Sequence, residues 1–331
     1  MGTERFNYGI ALLKVWMCFE VVMCHFDVGV ISVKSYDILR LSKEFAVPCF
    51  MFISFYYFAK LDFNDLDNIK SRMLRLIAPH ISWSIIYFFV YMLTSNDSIT
   101  NALLKLVLQI AFGHTLNAAM WFQVDLIVIT ALYIWGKRKE NINLMKLSII
   151  GLVIAYAMQY TGINYEIFSK FPYSMSYTLG RIAEMFPFAA AGYLLGSKNL
   201  LMDIDLKIKK LFLYGILGMI VGGYMLRSYL LRGKGCGYHG GIDILITTCL
   251  ISIFFYCLSD LMPKILLPFV KKFASYTMGI YFSHNLIGRI LLEFFPKGNG
   301  IIFSLMVFGV ALIFCWIISK IPNKQIKNLL I

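Results

Sequence analysis

The chain has 331 residues, of which 59% are hydrophobic and only 15% are charged, and its mean hydropathy is +0.72. This composition lacks the polar residues that cover a soluble domain, so it excludes an ordinary soluble protein. The formal charge of +13 would suit nucleic acid. The lysines and arginines, however, lie mostly in short segments between apolar runs, which favours membrane orientation and predicts no nucleic-acid partner. We therefore expect an all-α bundle in a lipid bilayer.

Ten apolar segments approach the length of about 20 residues that crosses a hydrocarbon core of ~30 Å. They cover residues 8–26, 44–61, 74–93, 120–135, 144–160, 181–196, 211–225, 242–258, 273–295 and 301–318. A further apolar segment, 99–112, is too short to span and is predicted to be an interfacial or re-entrant helix. No linker or soluble domain interrupts this series. The pattern predicts one transmembrane domain over residues 1–331, with about ten transmembrane helices.

The positive charges set the expected orientation of the chain. With the N-terminus inside, the inner segments and span ends carry 19 lysines and arginines, and the outer ones carry 9. Because inner loops carry the excess of positive charge, both termini are predicted to be cytoplasmic. We expect a multi-pass protein of the cytoplasmic (inner) cell membrane.

The first apolar segment contains LKVWMCFEVVMCHF, with the ionisable residues Lys14, Glu20 and His25. On a helix, Lys14 and His25 lie ~20° apart around the axis and ~16 Å apart along it, whereas Glu20 points elsewhere. Ionisable groups in hydrocarbon are functional candidates by default, so this helix is a predicted site. The alternative is that Lys14 only pairs with a carboxylate and His25 lies in the outer headgroup layer.

Two arginines stand at the cytoplasmic start of the third segment, in SRMLRLIAPH. Arg72 and Arg75 share a helical face and could bind an anion such as the phosphates of a nucleotide cofactor. Alternatively, both are ordinary positive-inside anchors. His80, deeper in the same segment, is expected to bond a neighbouring helix.

Three other segments carry polar groups. Arg181 and Glu184 are spaced to pair locally, which is more typical of a structural role. Asp125 has no local partner and is a candidate counter-ion for Lys14 or a group that orients a histidine. His284 lies near the middle of the ninth segment, where it is either a functional residue or a hydrogen-bonded core residue.

The seven cysteines do not predict a metal site. No CxxC pair or His/Cys spacing suggests zinc, and the cysteines form no disulfide framework. The glycine-rich segment 227–241, with Cys236 and His239, lacks the ending of a phosphate-binding loop, so its glycines indicate flexibility.

Several of these segments together resemble the acyltransferase 3 family of integral membrane acyltransferases. ALLKVWMCFEVVMCHF resembles the first helix of the family, where an Arg is followed eleven residues later by a His. FAVPCFMFISFYYFAK resembles its Val-Pro-x-Phe-x-x-x-Ser-Gly second helix. SRMLRLIAPHISWSIIYF, MWFQVDLIVITALY, FPFAAAGYLLG and SYTMGIYFSHNLI resemble its third, fourth, sixth and ninth helices. The matches keep the order of the family over nearly the whole chain.

Two positions depart from the family pattern. Lys14 replaces the first-helix Arg, which keeps the charge but loses the planar guanidinium. Phe55 replaces the Gly that follows the second-helix Ser, and so adds bulk where helix backbones can approach closely.

The resemblance implies transfer of an acyl group, commonly acetyl from acetyl-CoA, to a hydroxyl of a surface polysaccharide or lipid-linked glycan precursor. A histidine with an ordinary pKa near ~6.5 suits the base that such a hydroxyl needs. The candidate catalytic residues are therefore His25, Lys14 and His284, and the candidate acyl-CoA-binding residues are Arg72 and Arg75. A glycan-precursor transporter or flippase is the main alternative, although no paired interrupted helices support it. A glycan polymerase is a third, although no large outer loop is present.

Overall fold

A computed structural model describes residues 6–26, 44–63, 65–139, 142–161, 173–197, 206–230, 242–295 and 300–330. These ranges contain helices and no strand, as the composition predicted. The α-helices, in chain order, are α1 (Tyr8–Phe26), α2 (Ala46–Phe58), α3 (Leu66–Thr94), α4 (Ile99–Phe112), α5 (Trp121–Arg138), α6 (Leu144–Thr161), α7 (Tyr173–Ser197), α8 (Leu206–Leu230), α9 (Ile242–Leu258), α10 (Leu267–Ala274), α11 (Thr277–Phe294), α12 (Gly300–Ser319) and α13 (Lys324–Leu330).

Nine of the ten predicted segments each correspond to a single helix, and the predicted short helix at 99–112 is α4. Within the described residues, five helical stretches are long and apolar enough to cross a membrane: Tyr8–Phe26, Leu66–Thr94, Ala118–Arg138, Ile242–Leu261 and Gly300–Ser319. The helical membrane class is therefore confirmed. Each of these stretches is an apolar segment. In the absence of water, the backbone N–H and C=O groups of such a segment must bond to each other, which a helix allows.

The ninth predicted segment, 273–295, is divided between two helices. α10 ends at Ala274 and α11 begins at Thr277, with a turn at Ser275 and Tyr276. The Ser275 hydroxyl donates to the Lys272 carbonyl at 2.6 Å, and the Tyr276 N–H donates to the Phe273 carbonyl at 3.0 Å. These bonds satisfy carbonyls at the end of α10 and so end that helix. The apolar pattern of the sequence continues through the turn, which is why the two helices were predicted as one segment.

The chain divides into two compact units. The first is drawn from Met1–Lys60, Phe188–Thr277 and Gly298–Met306, and the second from Leu61–Pro187, Met278–Lys297 and Val307–Ile331. The predicted site helix α1 belongs to the first unit. The predicted residues Arg72, Arg75 and His284 belong to the second.

In the first unit, α1 packs directly against α9. A Cβ added at Gly9 would lie 1.7 Å from the Phe255 carbonyl oxygen, so the two helix backbones approach as closely as glycine allows. Asn7 Nδ2 donates to the Tyr256 carbonyl at 3.1 Å, and the Tyr8 N–H donates to Ser259 Oγ at 2.9 Å. These bonds fix the beginning of the site helix.

A second close approach joins α7 to α2. A Cβ at Gly192 would lie 2.2 Å from the Phe52 carbonyl oxygen, and one at Gly196 would lie 2.3 Å from that of Tyr56. Two small residues four apart are typical of membrane helix pairs, because they let van der Waals contacts form between backbones.

Phe55 occupies the position where the family resemblance leads us to expect glycine. Its side chain is fully buried in the first unit, and its ring centroid lies 5.4 Å from that of Phe58. The close approach to α2 takes place at the flanking residues Phe52 and Tyr56, so the extra bulk is accommodated on another face of the helix.

In the second unit, α3 is the central helix. Trp83 is fully buried and stacks on Phe282 of α11, with ring centroids 6.2 Å apart. Its Nε1–H donates to the Leu330 carbonyl of α13 at 3.2 Å. The Tyr87 hydroxyl donates to the Phe282 carbonyl at 2.8 Å and accepts from the Leu286 N–H at 3.2 Å. α11 and α13 are thus both attached to α3 through aromatic side chains.

We predict that Gly9→Ala destabilises the protein. The added Cβ would meet a backbone carbonyl, which cannot move aside as a flexible side chain could, and such overpacking costs about 1–3 kcal/mol. The matched control is Gly215→Ala on α8, where nothing lies within 4 Å of the added Cβ and alanine favours the helix. Thermal unfolding in detergent should show a clearly lower Tm for Gly9→Ala only. Equal Tm values would contradict the close packing of α1 on α9.

Candidate functional site

Lys14 and His25 lie on one continuous helix, as predicted. α1 runs without interruption from Tyr8 to Phe26, so the two residues are ~20° apart around its axis and ~16 Å apart along it. Lys14 is half-buried, one turn before Cys18, whereas His25 is exposed in the last turn. Glu20 is buried and accepts a hydrogen bond from Trp16 Nε1 at 2.9 Å. The helix therefore carries a shielded cation near its middle and an accessible imidazole at its end.

Arg72 and Arg75 lie in the first third of α3. Asp65 caps this helix by accepting from the Asp67 N–H at 2.9 Å. Arg72 is half-buried, and Arg75 is exposed with its Nε–H donating to the Ser71 carbonyl at 3.3 Å. Two guanidinium groups at i and i+3 present positive charge on one side of the helix, as expected.

The arginine pair does not lie beside His284. Tyr87 of α3 bonds to the backbone of Phe282 and Leu286, on either side of His284. Arg72 precedes Tyr87 by 15 residues, which is about 22 Å along a helix. Within the second unit, Arg72 and Arg75 therefore lie about 20 Å along α3 from the part of that helix that packs beside His284.

His284 is completely buried, and its own helix determines its tautomer. Nδ1 lies 2.6 Å from the Tyr281 carbonyl oxygen and 3.2 Å from that of Ile280. A carbonyl oxygen can only accept, so Nδ1 of the neutral ring must carry the hydrogen. Nε2 is consequently the acceptor nitrogen, which is the form that a general base requires.

His80 has the opposite arrangement. Its Nε2 lies 3.0 Å from the Ile110 carbonyl of α4, so Nε2 carries the hydrogen and Nδ1 is the acceptor nitrogen. The predicted bond to a neighbouring helix is confirmed. The Ser84 hydroxyl donates to the His80 carbonyl at 2.7 Å, within the same helix.

The segment between α4 and α5 is held by a polar network that the sequence alone did not indicate. Gln109 Oε1 accepts from the N–H groups of Leu116 and Asn117, at 2.7 and 3.2 Å. Asn117 Oδ1 in turn accepts from Asn285 Nδ2 at 2.7 Å. The Tyr281 hydroxyl donates to the Ala119 carbonyl. The network therefore meets α11 on both sides of His284.

A glycine makes this segment possible. Gly113 ends α4 in the left-handed conformation, with φ of 75°, and its N–H donates to the Gln109 carbonyl at 2.8 Å. A Cβ there would lie 2.7 Å from the Met120 carbonyl oxygen. Only glycine allows both the positive φ and the close approach. Its position directly after an apolar helix was the feature of the sequence that could have predicted this turn.

Asp97 and Lys105 brace the turn between α3 and α4. Lys105 Nζ lies 2.7 Å from Asp97 Oδ2, and the Tyr91 hydroxyl bonds to both side chains. The hydrogen bond from Lys105, followed by that from Tyr91, holds the pKa of Asp97 below its usual range. The bond to Asp97 likewise raises the pKa of Lys105. Both groups therefore stay charged around neutral pH, and the turn keeps its ion pair.

The predicted local pair on α7 is confirmed, and it lies near Asp125. Arg181 Nη1 donates to Glu184 Oε2 at 3.1 Å. The Arg181 guanidinium covers the rings of Trp121 and Tyr177, at 4.7 and 5.3 Å from their centroids. Asp125 lies one helical turn after Trp121 on α5, so it is on the side of α5 that faces the pair on α7.

Within the part of the chain that the structure describes, no group of three or more His, Cys, Asp or Glu side chains is arranged to bind a metal. The cysteines of these ranges form no disulfide, and they are Cys18, Cys24, Cys49, Cys249, Cys257 and Cys315. Cys236 and His239 lie outside the described residues.

The described parts of the chain are helical and contain five membrane-length helices and buried ionisable side chains, which defines a membrane protein of the polytopic class. Residues 7–320, nearly the whole chain, match the model of the acyltransferase 3 family, described as an acyltransferase domain. The chain belongs to this family, and the resemblance drawn from its motifs is confirmed. No curated protein and no solved structure matches it.

The two buried histidines should differ in tautomer. In protein labelled with ¹⁵N-histidine, His284 should give the signals of an Nδ1–H ring and His80 those of an Nε2–H ring, because each bonds a carbonyl through a different nitrogen. Solid-state NMR in lipid, with His284→Gln and His80→Gln to assign the signals, measures this. An Nε2–H ring at His284 would contradict the arrangement of α11.

Proposed function

We propose that this membrane protein is an O-acyltransferase that moves an acyl group, acetyl from acetyl-CoA, to a hydroxyl of a cell-surface polysaccharide or lipid-linked glycan precursor. The observation that carries the proposal is the match to an acyltransferase family over residues 7–320, which includes every candidate site residue. Acyl transfer from a thioester needs a base for the hydroxyl and positive charge for the donor. The chain has candidates for both.

His25 is the proposed base. Its exposed position in the last turn of α1 suits contact with an acceptor that arrives from outside the protein. The imidazole would take the hydroxyl proton while oxygen attacks the thioester carbonyl, and the thiolate that leaves would be protonated to the free thiol. Lys14, on the same face, would supply positive charge without the fork of the family arginine.

Arg72 and Arg75 are the proposed contacts for the phosphates of acyl-CoA. Their spacing on α3 and the exposure of Arg75 suit an anion that arrives from the cytoplasm. His284 is the second candidate base, and its Nδ1–H tautomer supports that role. The transporter or flippase remains the rival, because it too would use buried charges.

We also propose that residues 1–331 form one domain with about ten transmembrane spans. The protein would lie in the cytoplasmic (inner) cell membrane, with both termini in the cytoplasm.

In a cysteine-free variant, Asn96→Cys, in the turn after α3, should react with a membrane-impermeant maleimide in intact spheroplasts. Asn323→Cys, after α12, should react only after lysis. Both positions are exposed, so accessibility of the side chain is not limiting. The reverse pattern would invert the orientation.

Membranes that contain the protein should transfer label from acetyl-CoA, labelled in its acetyl group, to the glycan acceptor. His25→Ala and His25→Gln should both reduce transfer by ~10²–10⁴-fold at unchanged abundance, because neither side chain can accept a proton near neutral pH. Lys14→Arg should keep much of the activity and Lys14→Met should lose it, since the proposed role of Lys14 is its charge.

Two outcomes would redirect this proposal. Near-normal turnover by His25→Gln would make His25 structural and move the base to His284, which the matched His284→Gln variant then tests. Protein-dependent movement of the glycan across the bilayer, without any ester formed, would favour the flippase.

A further inference from the structure

Three ionisable side chains are clustered between α5 and α7 in the second unit, and their charges do not balance. Among the described residues, Arg181 supplies the positive charge of this cluster, and Glu184 and Asp125 are two carboxylates. Arg181 and Glu184 are about a fifth and a tenth exposed, and Asp125 is completely buried. If all three were ionised, the cluster would hold one uncompensated negative charge in a low-dielectric interior, which is strongly disfavoured.

The guanidinium of Arg181 is held between two aromatic rings. Its central carbon lies 4.7 Å from the ring centroid of Trp121 and 5.3 Å from that of Tyr177. The five N–H donors of a guanidinium lie in its plane, so several of its edges can bond carboxylates. One edge is used in this structure, where Nη1 donates to Glu184.

Asp125 is one helical turn beyond Trp121 on α5, on the side where Arg181 stacks. Neither of its carboxylate oxygens has a hydrogen-bond partner. The other titratable groups of this region are Tyr177, which contacts Arg181, and His114, whose ring lies 4.8 Å from that of Tyr177.

We propose that Asp125 and Glu184 form a binding site for one proton, and that the partner chosen by Arg181 decides which carboxylate holds it. The N–H that Glu184 accepts from Arg181 favours its ionised form, which assigns the proton of this arrangement to Asp125. When the guanidinium edge turns to Asp125, that carboxyl releases its proton and Glu184 takes one up. One proton balances the cluster in both arrangements.

A proton fits the site better than a metal ion does. The two carboxylates offer few ligand atoms, and the guanidinium beside them repels a second cation. A carboxyl buried this deeply can exchange its proton only when α5 and α7 rearrange, so proton binding is coupled to the packing of these two helices. This inference does not depend on the proposed acyl transfer.

Infrared spectroscopy of the purified full chain at neutral pH tests the proposal, because a protonated carboxyl has a C=O band that a carboxylate lacks. Asp125→Asn should remove one component of this band. Glu184→Gln should remove the same component, because Arg181 is then left with Asp125 alone and that carboxyl ionises. Glu293→Gln, which changes an exposed carboxylate of α11 in the same unit, is the matched control and should leave the band unchanged.

Two results would overturn the proposal. A band unchanged in Asp125→Asn would mean that Asp125 is ionised, and the site holds no proton there. A component that persists in Glu184→Gln would mean that Asp125 stays neutral whichever partner Arg181 has, so that the two carboxylates are not coupled. If Asp125→Asn does not fold, the comparison of Glu184→Gln with the unchanged protein still decides the coupling.

Discussion

The structure depends on one constraint, which is that a polar group buried in the packed interior of the protein has no water to bond with. Each buried donor or acceptor must find a partner in the protein or pay several kcal/mol, and this cost orders the interior of the second unit. Gln109 shows the effect most clearly, because one amide side chain bonds to the backbone of Leu116 and Asn117. Asn117 also accepts a hydrogen bond from Asn285, so this network of hydrogen bonds connects α4 to α11. The position of His284 follows from this chain of bonds.

The two candidate bases are held in different ways, and this bears on what each can do. His284 is rigid, because the carbonyls of its own helix determine its tautomer and neighbouring side chains pin that helix. His25 is exposed at the end of α1, where a large acceptor can reach it. In the proposed function a glycan hydroxyl needs an accessible base, and the exposure of His25 supports its proposed role in that step. A buried, preorganised acceptor nitrogen such as that of His284 suits a smaller group.

The two departures from the family pattern have different consequences. Phe55 packs in the core of the first unit. It does not obstruct the close approach of α7 to α2, because Gly192 and Gly196 contact other residues of α2. Lys14 remains half-buried in the middle of α1, where a guanidinium would offer planar, two-pronged hydrogen bonding and an ammonium offers only charge. The substitution therefore affects how a donor would be oriented more than whether it is attracted.

The sequence by itself determined the membrane class, the family, the positions of most helices and the Lys14–His25 face, because hydropathy and helical periodicity are local properties of the chain. It also predicted the Arg181–Glu184 pair, whose spacing places both groups on one face. Only the tertiary structure decided the tautomer of His284 and the network of Gln109 and Asn117. It also placed Arg181 near Asp125, 56 positions away in the chain. Contacts between distant segments depend on how helices pack, and apolar periodicity does not specify which polar groups then meet.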